Sequence, residues 1–483
     1  MKQLPRTIVG AAALLRRRET SALELTELAL RAAHDDQFNT WLLLSDDRAK
    51  AQARAADDRL RAGDAPLLCG IPWACKDIIG TKGVATTAGS KILEGYIPPY
   101  SATVVERLDV EGAVMMGKTN LDEFAMGSSN ENSAFGPVKN PWRIDRVPGG
   151  SSGGSAVAVA ASEALFALGT DTGGSIRQPA ALTGVVGMKP TYGRVSRYGV
   201  VAFASSLDQV GPFTNNVEDC AIVCQALFGK DPSDATTMPL PSEDLRRDLD
   251  RGVKGLRIGV PKEFFIEGME KGVERAVRDA LRELERQGAE LVDVSLSLTD
   301  HGLAVYYLIQ PAEASANLAR YDGVRYGLRV EGPDLLETYR RTRGKGFGPE
   351  VKRRMILGTY ALSAGYYDAY YVKAQKVRTL IKQEFDQVFE KVDAIVTPTS
   401  PGVAFKIGQK VNDPLSMYLN DIFTLPVNIS GLPGISLPCG LSDGLPVGLQ
   451  VIANSYQEAT MFRVAAAYER GTKHHEMRPE VAA

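Results

Sequence analysis

The sequence predicts an α/β protein built around a large β-sheet, and three observations support this class. Between residues 63 and 211, short apolar segments alternate with glycine turns and helical patterns, and this stretch holds 22 of the 47 glycines. Strand–helix alternation of this kind is typical of an α/β sheet. A strand–helix–strand pattern returns at residues 256–294. Hydrophobic residues make up 44% of the chain and charged residues 24%, as is ordinary for soluble globular proteins.

The first sixty residues are predicted to be largely helical. The apolar run at 8–15 is followed directly by Arg16–Arg18, where a secretory signal would carry small residues and a cleavage site, so we interpret the run as a helix. Ser21 and Glu24 match a capping box that opens a second helix, which continues to about Ala33. No segment approaches the roughly 18 apolar residues of a membrane span, and no membrane association is expected.

The remaining elements follow in order along the chain. Strands are predicted at 71–74, 113–117, 164–168, 185–188, 256–260, 290–294, 393–396, 434–437 and 448–452, the last two joined by a turn at 444–446. Helices are predicted at 103–112, 155–161 and 273–288, over most of 300–390, and at the start of 414–424. Length alone suggests about three domains. Because no repeat or low-complexity linker interrupts the chain, we expect a single domain over 1–483, with its core at 63–211 and a helical insertion at 300–390.

The residue counts narrow the chemistry. A net charge of −2 argues against a chain that binds nucleic acid without a partner. The four histidines lie outside the glycine- and serine-rich segments described next, which disfavours a Ser-His-Asp mechanism or a histidine metal site, so no metal is expected. The five cysteines form no CxxC pair and their number is odd, so we expect reduced thiols in a cytoplasmic protein.

Two glycine- and serine-rich segments dominate the chain, at 148–155 and 169–177. The first is compatible with a phosphate cradle at a helix N-terminus, but no GxxxxGK followed by Ser or Thr occurs there. In the second, Ser175 lies at a strand-to-helix turn after two glycines. Glycines allow the backbone N–H groups from Thr172 to Ser175 to converge on one point, so this turn is a candidate oxyanion hole beside a serine nucleophile.

A serine nucleophile needs a base, and Lys76 is the best candidate because no histidine is close in sequence. It lies mid-strand among apolar residues, and burial lowers the pKa of a lysine enough to make it a usable base. Ser151, in the first segment, is placed to relay the proton between Lys76 and Ser175. A buried Lys76–Asp77 ion pair is the structural alternative.

These residues resemble the catalytic machinery of the amidase-signature hydrolases. That family has a Ser–Ser–Lys triad, with a strand lysine, a bridging serine in Gly-Gly-Ser-Ser-Gly-Gly-Ser and a nucleophile in Asp-Thr-Gly-Gly-Ser; Lys76, Ser151 and Ser175 match those positions. The resemblance implies a large mixed β-sheet flanked by helices on both sides, amide hydrolysis through an acyl-enzyme, and a cis peptide bond between Gly150 and Ser151. It also implies an oxyanion hole formed by the N–H groups of Thr172, Gly173 and Gly174.

Segments outside the triad are most similar, within this family, to the glutaminase chains of tRNA-dependent amidotransferases. They lie at 120–128, 313–318, 321–327, 351–354, 365–371 and 418–424. The resemblance implies that Ser175 attacks the side-chain amide of glutamine and releases ammonia, which converts Glu-tRNA(Gln) to Gln-tRNA(Gln) with ATP. It implies a cytoplasmic heterotrimer that serves translation. A B subunit, the kinase and transamidase, binds tRNA, ATP and magnesium, a small C subunit wraps the pair, and this chain itself holds no cofactor.

Glutamine carries an α-amine and an α-carboxylate, so its pocket is expected to offer one acid and one base. Charge and the family pattern together assign Asp421 to the amine and Arg354 to the carboxylate, the latter through a bidentate fork. The alternatives are a solvated basic helix face for Arg354 and a solvent-facing acid for Asp421. The resemblance adds a tyrosine, Tyr306, with the adjacent Tyr307 as the alternative. It completes the substrate-binding set with Met126, Gly127 and Ser128.

Other functions stay open at this point. A stand-alone amidase acting on small or fatty amides would use the same triad without needing Arg354 or Asp421. A non-catalytic scaffold is disfavoured, because such a chain would usually have lost part of the triad. Seven basic residues either contact tRNA phosphates or form a solvated helix face; they are Arg340, Arg341, Arg343, Lys345, Lys352, Arg353 and Arg354.

Overall fold

The computed structural model of the chain describes residues 4–241 and 243–480, and it confirms the predicted α/β class. The helices of this part are α1 Ile8–Arg16, α2 Ala22–His34, α3 Asp46–Ala62, α4 Thr103–Val110, α5 Gly153–Ala160, α6 Arg177–Thr183, α7 Val217–Leu227, α8 Lys271–Arg286, α9 Gly302–Asn317, α10 Leu335–Gly346, α11 Pro349–Ala361, α12 Lys373–Phe389, α13 Pro414–Tyr418, α14 Leu425–Ile429 and α15 Glu458–Gly471. The strands are β1 Trp41–Leu44, β2 Pro72–Lys76, β3 Val114–Thr119, β4 Phe166–Asp171, β5 Val186–Lys189, β6 Gln209–Thr214, β7 Arg257–Pro261, β8 Glu290–Val294, β9 Ala394–Pro398, β10 Gly434–Ser442 and β11 Leu445–Ile452.

All strands of the described residues belong to one mixed sheet with the order β1-β3-β2-β4-β6-β5-β10-β11-β9-β7-β8. β2 pairs in parallel with β3 and β4, and β7 pairs in parallel with β8 and β9. The other neighbouring pairs are antiparallel. Every residue of β2, β3, β4 and β6 is buried, which requires cover on both faces of the sheet. None of the helices between residues 4 and 480 is long and apolar enough to cross a membrane.

The sequence misses two strands for physical reasons. β1 lies in the stretch predicted to be helical; it has four residues, no alternation of burial, and a single partner, β3, at the edge of the sheet. β6 contains Gly211 and Pro212, which argue against a strand when read locally, yet it pairs with β4 along its full length. The turn between β10 and β11 also differs from its predicted place at 444–446, since β11 already begins at Leu445.

The sheet brings the two glycine-rich segments to the end of β2. β2 and β4 run in parallel, with Cys75 opposite Leu168, so Lys76 and the end of β4 meet at one edge. The second segment leaves β4 and enters α6, while the first enters α5 directly. Two helix N-termini and one strand end therefore converge on the same place.

Candidate active site

Lys76 lies at the centre of a group of hydroxyls at this sheet edge. Its side chain is fully buried, and its Nζ donates to Ser151 Oγ at 2.8 Å, Ser152 Oγ at 2.8 Å and Thr170 Oγ1 at 2.9 Å. The alternative Lys76–Asp77 ion pair is not formed within the described residues. The Asp77 carboxylate instead accepts from the backbone N–H of Thr87 at 2.8 Å and from its hydroxyl at 2.5 Å.

Burial lowers the pKa of Lys76 from 10.5 to about 7, because a low-dielectric surrounding disfavours the ammonium. Three buried carboxylates act in the opposite direction and hold the pKa up; they belong to Asp122, Asp171 and Asp208. About half of the Lys76 side chains are therefore neutral near pH 7. A neutral amine can accept a proton from a neighbouring serine hydroxyl, which makes Lys76 a candidate general base.

Ser152 and Thr170 are functional candidates that the sequence reasoning did not select. The Ser152 hydroxyl donates its own hydrogen to the Thr170 carbonyl at 3.1 Å, so towards Lys76 it acts only as an acceptor. When Lys76 loses a proton, a hydroxyl that donates to its lone pair must therefore belong to Ser151 or Thr170. Both missed residues lie inside the two segments that carry Ser151 and Ser175, and this is the signal that points to them.

The two serines of the proposed triad lie on adjacent loops. The peptide bond between Gly150 and Ser151 is cis, as the family resemblance implies, and Ser151 is fully buried. Ser175 keeps 7% of its surface exposed, so it is the triad member that can meet a substrate. The backbone N–H of Ser152 donates to the Ser175 carbonyl at 3.3 Å, but no hydrogen bond joins the Ser151 and Ser175 hydroxyls in the described part of the chain. Catalytic hydrogen bonds often tighten only when substrate binds.

Asp171 shapes the loop that carries Ser175. Its carboxylate accepts from the backbone N–H groups of Gly174 at 2.8 Å and Ile176 at 3.1 Å, and it pairs with Arg177 at 3.1 Å with both side chains fully buried. Burial acts to raise the pKa of Asp171, but the Arg177 guanidinium outweighs it and holds the pKa at about 2. Asp171 is thus a fixed anion that folds the loop.

This arrangement changes the predicted oxyanion hole. The N–H of Gly174 is taken by Asp171 and is not free to bind an oxyanion. The N–H groups of Thr172, Gly173 and Ser175 donate to no acceptor within residues 4–241 and 243–480. These three groups, rather than a set that includes Gly174, are the donors available beside Ser175.

Two pocket side chains press closely on the glycines of this loop. A Cβ atom added to Gly173 would lie 2.7 Å from Cζ of Tyr306. Gly174 has φ of +139°, and a Cβ there would lie 2.2 Å from Thr424 Oγ1 and 3.4 Å from Asp421 Oδ1. Only glycine fits at either position, and the contacts place Tyr306 and Asp421 beside the candidate nucleophile.

Asp421 presents one carboxylate oxygen without a partner. Its Oδ2 accepts a hydrogen bond from the Ser128 hydroxyl, while Oδ1 is buried and finds no donor among the described residues. Burial raises the pKa of Asp421 to about 7. A buried acceptor left unpaired costs about 1–3 kcal/mol, so a cationic ligand that supplies a donor gains that free energy on binding. This observation also excludes the solvent-facing interpretation of Asp421.

Arg354 is 3% exposed, which excludes the solvated-face interpretation for this residue. Its Nε donates to Glu350 Oε1 at 2.8 Å and its Nη1 donates to Gln310 Oε1 at 3.1 Å. The guanidinium also lies over the rings of Tyr307 and Tyr418, 5.4 and 5.5 Å from their centroids. Its Nη2 makes no hydrogen bond in the described part of the structure. A ligand carboxylate would therefore use the Nη1–Nη2 side of the fork, because Glu350 occupies the other edge.

The two candidate tyrosines have different surroundings. Tyr306 lies against Gly173, and its hydroxyl makes no hydrogen bond in the described residues. Tyr307 stacks on Tyr418 with ring centroids 4.0 Å apart and lies beneath Arg354. The geometry therefore places Tyr306 at the nucleophile loop and makes Tyr307 part of the support for Arg354.

The 126–128 segment contacts Asp421 through Ser128 and Asp122 through Gly127. Asp122 accepts from the backbone N–H groups of Asn130 at 2.8 Å and Asn132 at 2.9 Å, and a Cβ on Gly127 would lie 2.2 Å from its Cγ. Met126 is fully buried beneath this turn. A cavity of about 160 Å³ lies between Gly127 on one side and Arg354 and Tyr418 on the other. Asp122 thus holds the wall in place, a role that the sequence did not reveal.

Several other predictions can be compared with the structure. Within the described residues, no group of three His, Cys, Asp or Glu side chains is arranged to hold a metal ion. All five cysteines are free, as expected of reduced thiols, and the structure also buries all of them. The basic group is largely engaged: Arg340 and Arg341 pair with Glu337, and Arg353 pairs with Glu350.

Comparison with known proteins gives concordant results. The family model described as Amidase matches residues 24–462. The A subunit of the glutamyl-tRNA(Gln) amidotransferase of Roseiflexus castenholzii is 59% identical over 477 residues, which are 98% of this chain and 97% of that protein. The crystal structure of the A subunit of the glutamyl-tRNA(Gln) amidotransferase of Thermotoga maritima matches with a TM-score of 0.83 and 43% identity over 100% of both chains. The peptide amidase of Stenotrophomonas maltophilia matches with a TM-score of 0.83 and 32% identity over 96% of each chain.

Proposed function

The chain belongs to the amidase family, and on that premise we propose that it is the glutaminase component of a tRNA-dependent amidotransferase. In this proposal residues 1–483 form one amidase domain that releases ammonia from glutamine. The ammonia converts Glu-tRNA(Gln) to Gln-tRNA(Gln) in an ATP-dependent reaction completed on a partner protein. Support comes from two relatives that match nearly the whole chain and are named as A subunits of glutamyl-tRNA(Gln) amidotransferases.

The proposed chemistry begins with Ser175 as nucleophile. Neutral Lys76 takes the Ser175 proton through Ser151, and Ser175 Oγ forms a bond to the amide carbon of the glutamine side chain. The oxyanion that develops accepts hydrogen bonds from the free N–H groups of Thr172, Gly173 and Ser175. The Lys76 ammonium returns the proton to the departing nitrogen, so ammonia leaves and a glutamyl ester remains on Ser175. Water, deprotonated by the same relay, then hydrolyses the ester and regenerates the serine.

The observation that carries the choice of glutamine is the unpaired Oδ1 of Asp421 beside the nucleophile loop. It offers a buried negative acceptor to the α-ammonium of an amino acid, and Arg354 offers a guanidinium edge to the α-carboxylate. A simple amide carries neither charge, so it leaves Asp421 Oδ1 without a donor and Arg354 Nη2 without an acceptor. Tyr306, Met126, Gly127 and Ser128 would complete the walls around the aliphatic part of the substrate.

The proposed assembly is a cytoplasmic heterotrimer. A B subunit, the kinase and transamidase, would bind ATP, magnesium and most of the tRNA, and a small C subunit would stabilise the pair. The near-neutral charge of this chain is consistent with tRNA binding mainly through a partner. Among the described residues no metal cluster suggests a cofactor of its own.

An ammonia-release assay tests this proposal. The purified chain is given glutamine with and without its partner subunits, ATP and Glu-tRNA(Gln). We expect glutamine-dependent ammonia release that Ser175→Ala abolishes and that the exposed-surface control Ser295→Ala leaves unchanged. Turnover of acetamide or benzamide without any turnover of glutamine would instead favour a stand-alone amidase and would contradict the proposal.

A further inference from the structure

Helix α11 carries apolar residues on two faces; the fold packs one face tightly and leaves most of the other exposed. Val351, Arg354, Gly358 and Ala361 are buried, and a Cβ on Gly358 would lie 1.8 Å from the Pro311 carbonyl of α9, so this face is packed tightly. The opposite face follows a second helical stripe. Its members, at spacings of three and four residues, are Lys352, Met355, Ile356, Thr359, Tyr360 and Ser363.

The second face borders an open groove of about 600 Å³ between α10 and α11. Ile356 on its wall is 70% exposed and Tyr360 is 49% exposed. Just beyond α11, Tyr366 and Tyr370 lie near Tyr360, with ring centroids 4.4 and 6.1 Å from the Tyr360 ring. Ile356 and Tyr360 on the groove wall, together with Tyr366 and Tyr370, thus form an exposed patch of four large apolar or aromatic side chains. An exposed patch of this kind marks an interaction site.

The charges at the groove identify the type of partner. Arg343 donates to the carbonyls of Leu318 and Tyr321, and Lys352 donates to the Gly344 carbonyl. Unlike the neighbouring arginines, Arg343, Lys345 and Lys352 form no ion pair with an acidic side chain in the part of the chain described here. Of these three, Arg343 and Lys352 line the groove, so they complement acidic residues on the segment that covers it.

We propose that this groove binds an amphipathic helix of a partner subunit, an inference that rests on the proposed function. That helix would place apolar residues at i, i+3 or i+4 and i+7 into the groove and acidic residues beside Arg343 and Lys352. The rings of Tyr360, Tyr366 and Tyr370 lie against one another. Tyrosine is enriched at protein interfaces because it offers a large contact area at a small cost in side-chain entropy. The groove wall is aliphatic at Met355 and Ile356, which favours a helix over the stacked bases of RNA.

The test measures assembly with the purified partner subunits of the proposed complex. Ile356→Asp and Tyr360→Asp should each raise the Kd for those subunits by about 30-fold or more. This is the loss of affinity expected when a residue at the centre of an interface is changed. Val110→Asp is the matched control, because Val110 is 72% exposed on α4, outside the groove, and should change the Kd less than about threefold. Lys352→Glu should raise the Kd, and the increase should be larger at low salt than at high salt. Lys352→Gln should raise the Kd less than Lys352→Glu does.

Thermal unfolding and far-UV circular dichroism show whether each variant is folded, so a loss of binding by a folded variant is informative. An unchanged Kd for folded Ile356→Asp and Tyr360→Asp would overturn the groove proposal. Weakened tRNA binding with unchanged binding of the partner proteins would also overturn it and would assign the surface to RNA. Neither outcome touches the glutaminase proposal, which depends on ammonia release by Ser175.

Discussion

Ammonia release at saturating glutamine should depend on the protonation of one buried lysine. Lys76 acts as a base only when neutral, and burial lowers its pKa from 10.5 to about 7. Below pH 7 the neutral fraction falls tenfold per pH unit, so kcat should rise with pH, with a slope of one on a logarithmic plot, and level off above about pH 7. The sign follows from the base role, because protonation removes the group that accepts the Ser175 proton.

The size of the effect can be worked out from the same shift. At pH 7 a lysine with a pKa of 10.5 is neutral in about one molecule in three thousand, whereas Lys76 is neutral in about half. The net shift, in which burial outweighs the three carboxylates, therefore raises the population of the neutral base by about 10³-fold, which corresponds to roughly 5 kcal/mol against the ammonium. Removing the base in Lys76→Ala should lower kcat by about 10²- to 10⁴-fold and abolish the acid limb.

The assay is kcat against pH from about pH 5 to about pH 9, for the wild type, Lys76→Ala and Lys189→Met. Lys189 is the matched control because it is also buried, with a pKa lowered to about 7, but its Nζ donates to the Pro190 carbonyl and not to the triad. Saturating glutamine keeps the Asp421 carboxylate paired, which removes its titration from the profile. An acid limb that survives in Lys76→Ala, or that disappears in Lys189→Met, would refute the reasoning.

Three further predictions concern the pocket and the support of the base. Arg354→Gln should raise the KM for glutamine by about 10- to 100-fold, the loss of a charge-assisted hydrogen bond, and should leave turnover of an uncharged amide unchanged; equal losses on both would contradict its role. Because burial raises the pKa of Asp421 to about 7, protonation should raise the KM for glutamine below that pH, and Asp421→Asn should give a high KM without this pH dependence. Ser152→Ala removes an acceptor of the Lys76 ammonium, so the acid limb of kcat should move to lower pH while KM changes little; an unmoved limb would leave Ser152 with a structural role only.

Much of the fold could be predicted because its central strands are apolar runs bounded by glycine turns. The predicted bounds of β8 match the observed ones, and the predicted strands around the triad lie within a few residues of the observed strands. β6 could not be found locally, since Gly211 and Pro212 are poor strand formers that only pairing with β4 makes acceptable. Tertiary pairing, which no local pattern reports, decides such segments.

The candidate site, like the fold, has features that the sequence shows and features that it does not. Glycine loops and a lysine in an apolar strand are visible in sequence because their residue types are unusual in those surroundings. The allocation of hydrogen bonds is not visible. That Asp171 takes the Gly174 N–H, that Glu350 takes one edge of Arg354, and that Ser152 already donates its hydrogen depend on distances of about 3 Å that only the folded chain sets.

The central claim is that Ser175 forms a covalent bond with the glutamine side chain. Mass spectrometry of the enzyme, quenched with acid during glutamine hydrolysis and digested, tests it directly. We predict that in the wild type a glutamyl group is esterified to the peptide that contains Ser175. In Ser175→Ala both this adduct and the release of ammonia should be absent. A glutamyl adduct on another residue, or undiminished ammonia release by Ser175→Ala, would contradict the account.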